Sequence, residues 1–220
     1  MNQQHDLTLY SYWRSSASYR VRIALALKQL DCNIQPIHLV RDGGQQHAAA
    51  FRRLNPQGLV PCLVHGGLVL SQSMAIIEYL DEVFPDQPLL PESAAERAQA
   101  RRVAQAIACD IHPLNNLRVL QYLEHSARLE PNARTAWYRH WTEQGLQAVE
   151  AMLTDMSPDS RYALADTPGL ADCFVLPQVY NARRFGCSLA GCERIVTICE
   201  HLQDDPAIKA AAPENQPDAE

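Results

Sequence analysis

The chain has 220 residues, 47% of them hydrophobic and 20% charged, with a net charge of −6. That length can bury one good core and leaves room for two. The acidic balance excludes the basic footprint of a nucleic-acid binder, and no apolar run approaches the roughly 18 residues of a membrane span.

The elements begin with Leu7–Tyr12, whose apolar and polar residues alternate as in a short strand. Ser15-Ser16-Ala17-Ser18 then offers cap chemistry for a helix over about Tyr19–Lys28, apolar nearly all round and therefore buried. Asn33–Leu39 reads as a second strand, Arg41-Asp42-Gly43-Gly44 as a turn and Gln45–Leu54 as a short helix. After the turn Asn55–Gly58, Val60–Val64 and Leu68–Leu70 form a hairpin around His65-Gly66-Gly67. Ser71-Gln72-Ser73 opens a helix with Met74, Ile77, Leu80 and Phe84 on one face. The order β-α-β-α-β-β-α over residues 1–84 is that of a thioredoxin-like domain, with the first two strands parallel.

Three prolines between Pro85 and Pro91 mark a linker. Residues 92–220 read as an all-helical domain: 93–128 interrupted at Pro113, 132–154, 170–185 kinked at Pro177, and 193–203. A polar tail from Ala211 is expected to fray. Residues 1–84 carry seven Lys and Arg against six Asp and Glu, whereas 85–220 carry 12 against 19, which fits two domains with different jobs. Seven cysteines form no CxxC pair, and the polar start lacks a secretory signal. Both features point to free thiols in a reducing, cytoplasmic setting. No metal site is assigned.

In a thioredoxin-like fold the first strand–helix junction is the reactive corner, because the helix end offers unpaired N–H groups and a partial positive charge. A redox protein would place CxxC there. This chain places Ser15-Ser16-Ala17-Ser18 there, so a thiolate at the corner must come from a ligand, with a serine hydroxyl donating to it and Arg14 and Arg20 adding positive field. The same cluster also reads as a plain helix cap. Leu59-Val60-Pro61 presents a backbone edge if its proline is cis, or else an ordinary strand start; Ser71-Gln72-Ser73 is a carboxylate socket or a cap. Together, in this order, they make a thiol corner, a backbone clamp and an anion socket, which is what a tripeptide thiol needs.

Arg14–Leu25 (RSSASYRVRIAL) resembles the signature of zeta-class glutathione transferases. LNPQGLVP (54–61), QSMAIIEYL (72–80), DIHPLNNLRVL (110–120), ADCFVLPQVYNARRF (171–185) and AAPENQPD (211–218) are similar to the same family. The resemblance implies the glutathione transferase fold (a thioredoxin-like N-terminal domain followed by an all-helical C-terminal domain), a homodimer, glutathione as cofactor and a small-molecule substrate. It implies isomerisation of maleylacetoacetate in tyrosine and phenylalanine breakdown, with maleylpyruvate isomerisation or conjugation of electrophiles such as halogenated acids as alternatives. By position, Ser15 faces the glutathione sulfur and Ser16 and Ala17 line the corner. Gln46 meets the glycyl end, Val60 the cysteinyl backbone, and Gln72 and Ser73 the γ-glutamyl carboxylate. His112, Asn116, Leu117 and Arg118 lie on a segment that reaches toward the cofactor. Arg14, Arg118 and Arg184 receive substrate carboxylates, with Ser15, Arg14 and Arg184 as the catalytic set. Two departures stand out: Ala17 where many members have cysteine, and Gly169 where a Ser or Thr cap is usual.

Overall fold

In the computed structural model, which describes residues 6–220, strand β1 (Leu7–Ser11) buries Leu7, Leu9 and Ser11 and half-buries the residues between. It is an interior strand of a four-stranded sheet ordered β2-β1-β3-β4. β2 (Asn33–Pro36) pairs with β1 in parallel; β3 (Cys62–His65) and β4 (Leu68–Ser71) follow antiparallel. The hairpin register opposes His65 to Leu68, so Gly66-Gly67 alone make the turn. The β1–β2 crossover is α1 (Ser16–Leu27), which buries Val21, Ile23, Ala24 and Leu25. Each large apolar side chain so buried contributes about 1.5–3 kcal/mol.

The short helix expected over 45–54 is two elements, a 3-10 turn Gln45–His47 and α2 (Ala49–Leu54). α3 (Ser73–Val83) lays Ile76, Ile77 and Leu80 on the core. Buried Lys28, at the end of α1, donates to Asp81 Oδ1 (2.8 Å) and to the carbonyls of Asp86 and Gln87 (both 3.2 Å). Asp81 Oδ1 also accepts the Leu89 N–H at 2.8 Å, so one ion pair ties two helices to the linker.

The described residues divide into two compact units, 6–89 with 204–220, and 90–203. The expectation of a frayed tail inside a second domain of 92–220 is corrected here. Asp205 caps α9 (Pro206–Ala210), Ile208 and Pro213 are buried, and Arg22 Nε donates to the Ala211 carbonyl at 3.0 Å. Those hydrogen bonds, together with the buried Ile208, Ala211 and Pro213, hold the segment on the first unit.

The second unit is helical among its described residues. α4 (Ala94–Gln105) starts at Ser93, whose Oγ accepts the Glu96 N–H. The break expected at Pro113 spans more residues: a π-helical turn at Ala106–Ile111, then a 3-10 turn at His112–Leu114, before α5 (Leu117–His125). α6 (Pro131–Met156) brings Gly145 so near Ile111 that a Cβ there would lie 2.4 Å from Ile111 Cγ1. α7 (Leu170–Arg184) is buried over most of its length and continues through Pro177. α8 (Glu193–Asp204) has the N–H groups of Arg194 and Ile195 held by the Glu150 carboxylate, each at 2.8 Å. At the start of α7, Gly169 is the N-cap without a side chain to offer, and the Asp172 carboxylate one turn on accepts the N–H groups of Gly169 (2.9 Å) and Ala163 (3.0 Å).

Candidate active site

The corner after β1 is a tight turn in which the Ser15 N–H donates to the Tyr12 carbonyl at 2.9 Å. Ser15 is the N-cap of α1, its Oγ accepting the Ser18 N–H at 3.2 Å. As acceptor in that bond, the hydroxyl keeps its own proton available to donate. The Ser15 carbonyl takes the Tyr19 N–H, leaving the amides of Ser16 and Ala17 with no acceptor among the described residues. A half-buried hydroxyl and two free amides at a helix N-terminus suit an anion.

The thiols present are poor candidates for that anion. Cys62 packs in one cluster with Tyr12 and Trp13, but burial pushes its pKa up to about 11, and that of Cys32 to about 12. Both stay protonated at neutral pH, so a sulfur anion at this corner has to be brought by a ligand.

The Val60–Pro61 bond is cis, and Val60 is buried among Tyr12, Trp13, Phe51 and Cys62, with Leu39 packed alongside. The Leu39 carbonyl in turn accepts from Gln46 Nε2 at 3.1 Å. Corner, clamp and the loop carrying Gln46 therefore share one apolar support. Gln46 is buried, and its Oε1 has no partner among the described residues, an acceptor left for a ligand. Gly44 makes room for this side chain. At φ +98° any other residue is strained, and a hypothetical Cβ 2.6 Å from Gln46 Nε2 would displace the Gln46 amide.

At the start of α3, Gln72 sits at φ 75°, which costs a non-glycine residue on the order of 1–3 kcal/mol and is typical of ligand clamps. Gln57 Oε1 orients it, accepting from Gln72 Nε2 at 3.0 Å. The Ser73 hydroxyl accepts from Arg20 Nη1 at 3.2 Å, so the buried Arg20 guanidinium stands at this socket. The sequence places Arg20 at the thiol corner; its bond to Ser73 moves that charge to the carboxylate socket. Gln57, which holds the Gln72 side chain, is not singled out by the sequence, although it lies inside the LNPQG turn.

Arg14 is exposed, its guanidinium carbon 4.0 Å from the Trp13 ring centroid. The remaining candidates belong to the second unit. Asn116 caps α5, its Oδ1 accepting the Arg118 N–H at 3.0 Å, and Arg118 is exposed beside it. His112 starts the 3-10 turn. Arg184 is exposed at the end of α7, 5.1 Å from the Phe185 ring. α6 contacts both neighbourhoods, through Trp137 Nε1 to the Leu114 carbonyl at 2.7 Å and through Tyr138 stacked on Phe185.

The first unit is a thioredoxin-like domain whose reactive corner carries serine in place of cysteine. Residues 5–82 match the family described as Glutathione S-transferase, N-terminal domain. A probable maleylacetoacetate isomerase of Vibrio cholerae is 49% identical over 97% of this chain and 99% of its own. The solved holo structure of a maleylpyruvate isomerase, described as a bacterial glutathione S-transferase in Zeta class, is 42% identical, covers 97% of this chain and 100% of its own, and superposes with a TM-score of 0.93. The maleylacetoacetate isomerase of Methylobacterium extorquens AM1, solved with malonate and GSH bound, is 36% identical over 97% of this chain and 99% of its own, with a TM-score of 0.92. The chain belongs to the zeta-class glutathione transferases, the family that includes the maleylacetoacetate isomerases. Among the described residues no helix is long and apolar enough to cross a membrane, and no group of three or more His, Cys, Asp or Glu could hold a metal.

Proposed function

We propose that this protein is a glutathione-dependent cis–trans isomerase converting maleylacetoacetate to fumarylacetoacetate in tyrosine and phenylalanine breakdown. The observation that carries the reading is the corner: a serine hydroxyl and two unpartnered amides at the start of α1, with the nearby Cys62 thiol held protonated. The free acceptor on Gln46 fits the glycyl N–H of glutathione, and the Gln72–Ser73 helix start fits its γ-glutamyl carboxylate.

Bound there, glutathione supplies a sulfur nucleophile that adds reversibly across the conjugated cis double bond and is eliminated again after rotation. Ser15 donates its hydroxyl proton in a hydrogen bond to the sulfur, and the amides of Ser16 and Ala17 with the α1 terminus favour its charged form. Gln72, Ser73 and the amides opening α3 hold the γ-glutamyl carboxylate, with Arg20 behind Ser73. Val60 pairs through its backbone with the cysteinyl unit. Arg14 receives a substrate carboxylate and offsets charge that develops on the carbonyl; Arg118 and Arg184 are the second-unit candidates for the other anionic end. Glutathione is regenerated at the end of each turnover and is not consumed.

Maleylpyruvate is the second reading, favoured by the 0.93 superposition on a maleylpyruvate isomerase. The protein is read as a cytoplasmic homodimer, and sedimentation tests the dimer. The deciding experiment follows the absorbance of both cis substrates with and without glutathione. Catalytic dependence on glutathione with maleylacetoacetate supports the proposal. Conversion of neither substrate, or equal rates without glutathione, would end it, and stoichiometric formation of a conjugate would make the protein a conjugating transferase.

A further inference from the structure

The segment after the second unit returns to the first and reaches the corner. The Trp13 N–H donates to Asp218 Oδ2 at 3.0 Å, a bond that spans 205 residues of sequence. Ala219 packs on the cluster of Tyr12, Trp13, Phe51, Val60 and Cys62. Glu220 pairs with Arg41, and its Oε1 lies 3.6 Å from His38 Nε2. His38 Nδ1 accepts the N–H groups of Val40 and Arg41, at the root of the loop that carries Gln46. Buried Arg22 adds a further tie. Its Nε donates to the Ala211 carbonyl, Nη1 to Ser11 Oγ (3.1 Å) and Nη2 to the Trp13 carbonyl (3.0 Å). Both polar backbone groups of Trp13 are thus held, one by Asp218 and one by an arginine that is itself bonded to this segment.

Trp13 is the residue that sets the corner. Its peptide leads directly into Arg14 and Ser15, and its ring is the surface on which the Arg14 guanidinium rests. We propose that Asp218 is a positioning residue of the active site, and that Asp218–Glu220 braces both the Trp13–Ser15 corner and the 38–46 loop. This rests on the roles proposed above for Ser15 and Arg14. Without the carboxylate the Trp13 N–H turns to water and the 13–14 turn gains freedom. Displacements of about 1 Å in a reacting group cost on the order of a hundredfold in rate, so even partial loosening is visible in kcat.

The test compares Asp218→Ala, Asp218→Asn and Asp205→Ala in the full chain, reading kcat, KM for glutathione, melting temperature and amide hydrogen exchange over residues 13–17. Asp218→Ala is expected to lower kcat about tenfold and to speed exchange within 13–17 at the bonded amides of Trp13 and Ser15. Asp218→Asn keeps an oxygen that accepts the same N–H and should stay within about threefold of the parent. Asp205→Ala removes only the cap that serves Ala207 and Ile208, so it should lose stability while keeping kcat. Parental kcat and exchange in Asp218→Ala would overturn the proposal, as would an Asn variant as impaired as the Ala variant. If the parent converts neither cis substrate, the isomerase reading falls by itself, and exchange at 13–17 still decides whether Asp218 holds the corner.

Discussion

Replacing Ser15 by alanine separates the two jobs that its hydroxyl holds. As an N-cap bonded to the Ser18 amide, it stabilises α1 by about 1 kcal/mol, so the variant should melt roughly 2–4 °C lower in a protein of this size. As a donor to the sulfur, it makes a hydrogen bond to a charged group, which contributes about 1.5–3 kcal/mol. At about 1.36 kcal/mol per pH unit, its loss raises the bound thiol's pKa by roughly 1–2 units. For a thiol held near about 6.5, the thiolate share at pH 7 would fall from about three-quarters to about a quarter or less. Part of the rate returns, because a more basic thiolate is a better nucleophile, with a Brønsted slope of about 0.4–0.5. The titration midpoint is therefore a sharper observable than the rate at one pH. The assay is the ultraviolet absorbance of bound glutathione thiolate against pH, with the pH profile of kcat/KM beside it. Ser15→Thr keeps both the cap and the proton and should leave the midpoint near the parent's. A midpoint unmoved in Ser15→Ala, with only the stability loss seen, would refute the reasoning and leave Ser15 as a cap alone.

Three further outcomes concern the scaffold. Lys28→Met leaves Asp81 without its cation and should cost about 3 kcal/mol in urea unfolding; a loss under about 1 kcal/mol would make the pair dispensable. Asp172 is buried, and desolvation pushes its pKa up to about 6, against opposing hydrogen bonds from Gly169 and Ala163. The native state therefore takes up this proton before the unfolded chain does, so this group's contribution improves as pH falls from about 6 toward about 4, by up to roughly 3 kcal/mol. Asp172→Asn should remove that slope and lower stability at neutral pH, because the amide cannot accept both N–H groups; urea midpoints across that range that keep the parental slope would contradict it. Gly145→Ala gains helix propensity of about 1 kcal/mol but drives a methyl into Ile111, so a net loss of about 1–2 kcal/mol is expected in urea unfolding; a net gain would show that Ile111 gives way without cost.

The serine corner, the Leu59-Val60-Pro61 clamp and the Ser71–Ser73 helix start were each legible in the sequence as local chemistry, since caps, prolines and helix termini act over a few residues. Their convergence was not. Arg20 reaches Ser73 across 53 residues, and Gln57 reaches Gln72 across 15, and nothing in either local pattern announces the other. Arg20 looks like a charge for the thiol corner because it follows Arg14 closely in the same signature. On α1 it instead points to the start of α3 and serves the opposite end of the proposed cofactor.

The sequence by itself determined the order of strands and helices in the first 84 residues, the linker and the helical nature of the second unit. Period-two and helical spacing of apolar residues, with Gly and Pro punctuation, reports which local conformation buries the most apolar surface. Only the tertiary structure decided where the segment 204–220 goes. With Pro213, Pro217 and several polar side chains, its end shows no apolar periodicity, and composition alone reads it as solvated. Beside the burial of Ile208 and Pro213, it is tied down by the Arg22 and Asp218 hydrogen bonds, whose partners lie 189 and 205 residues away. Hydrogen bonds between distant groups leave no periodic trace in the chain; they exist only once the fold has brought donor and acceptor together.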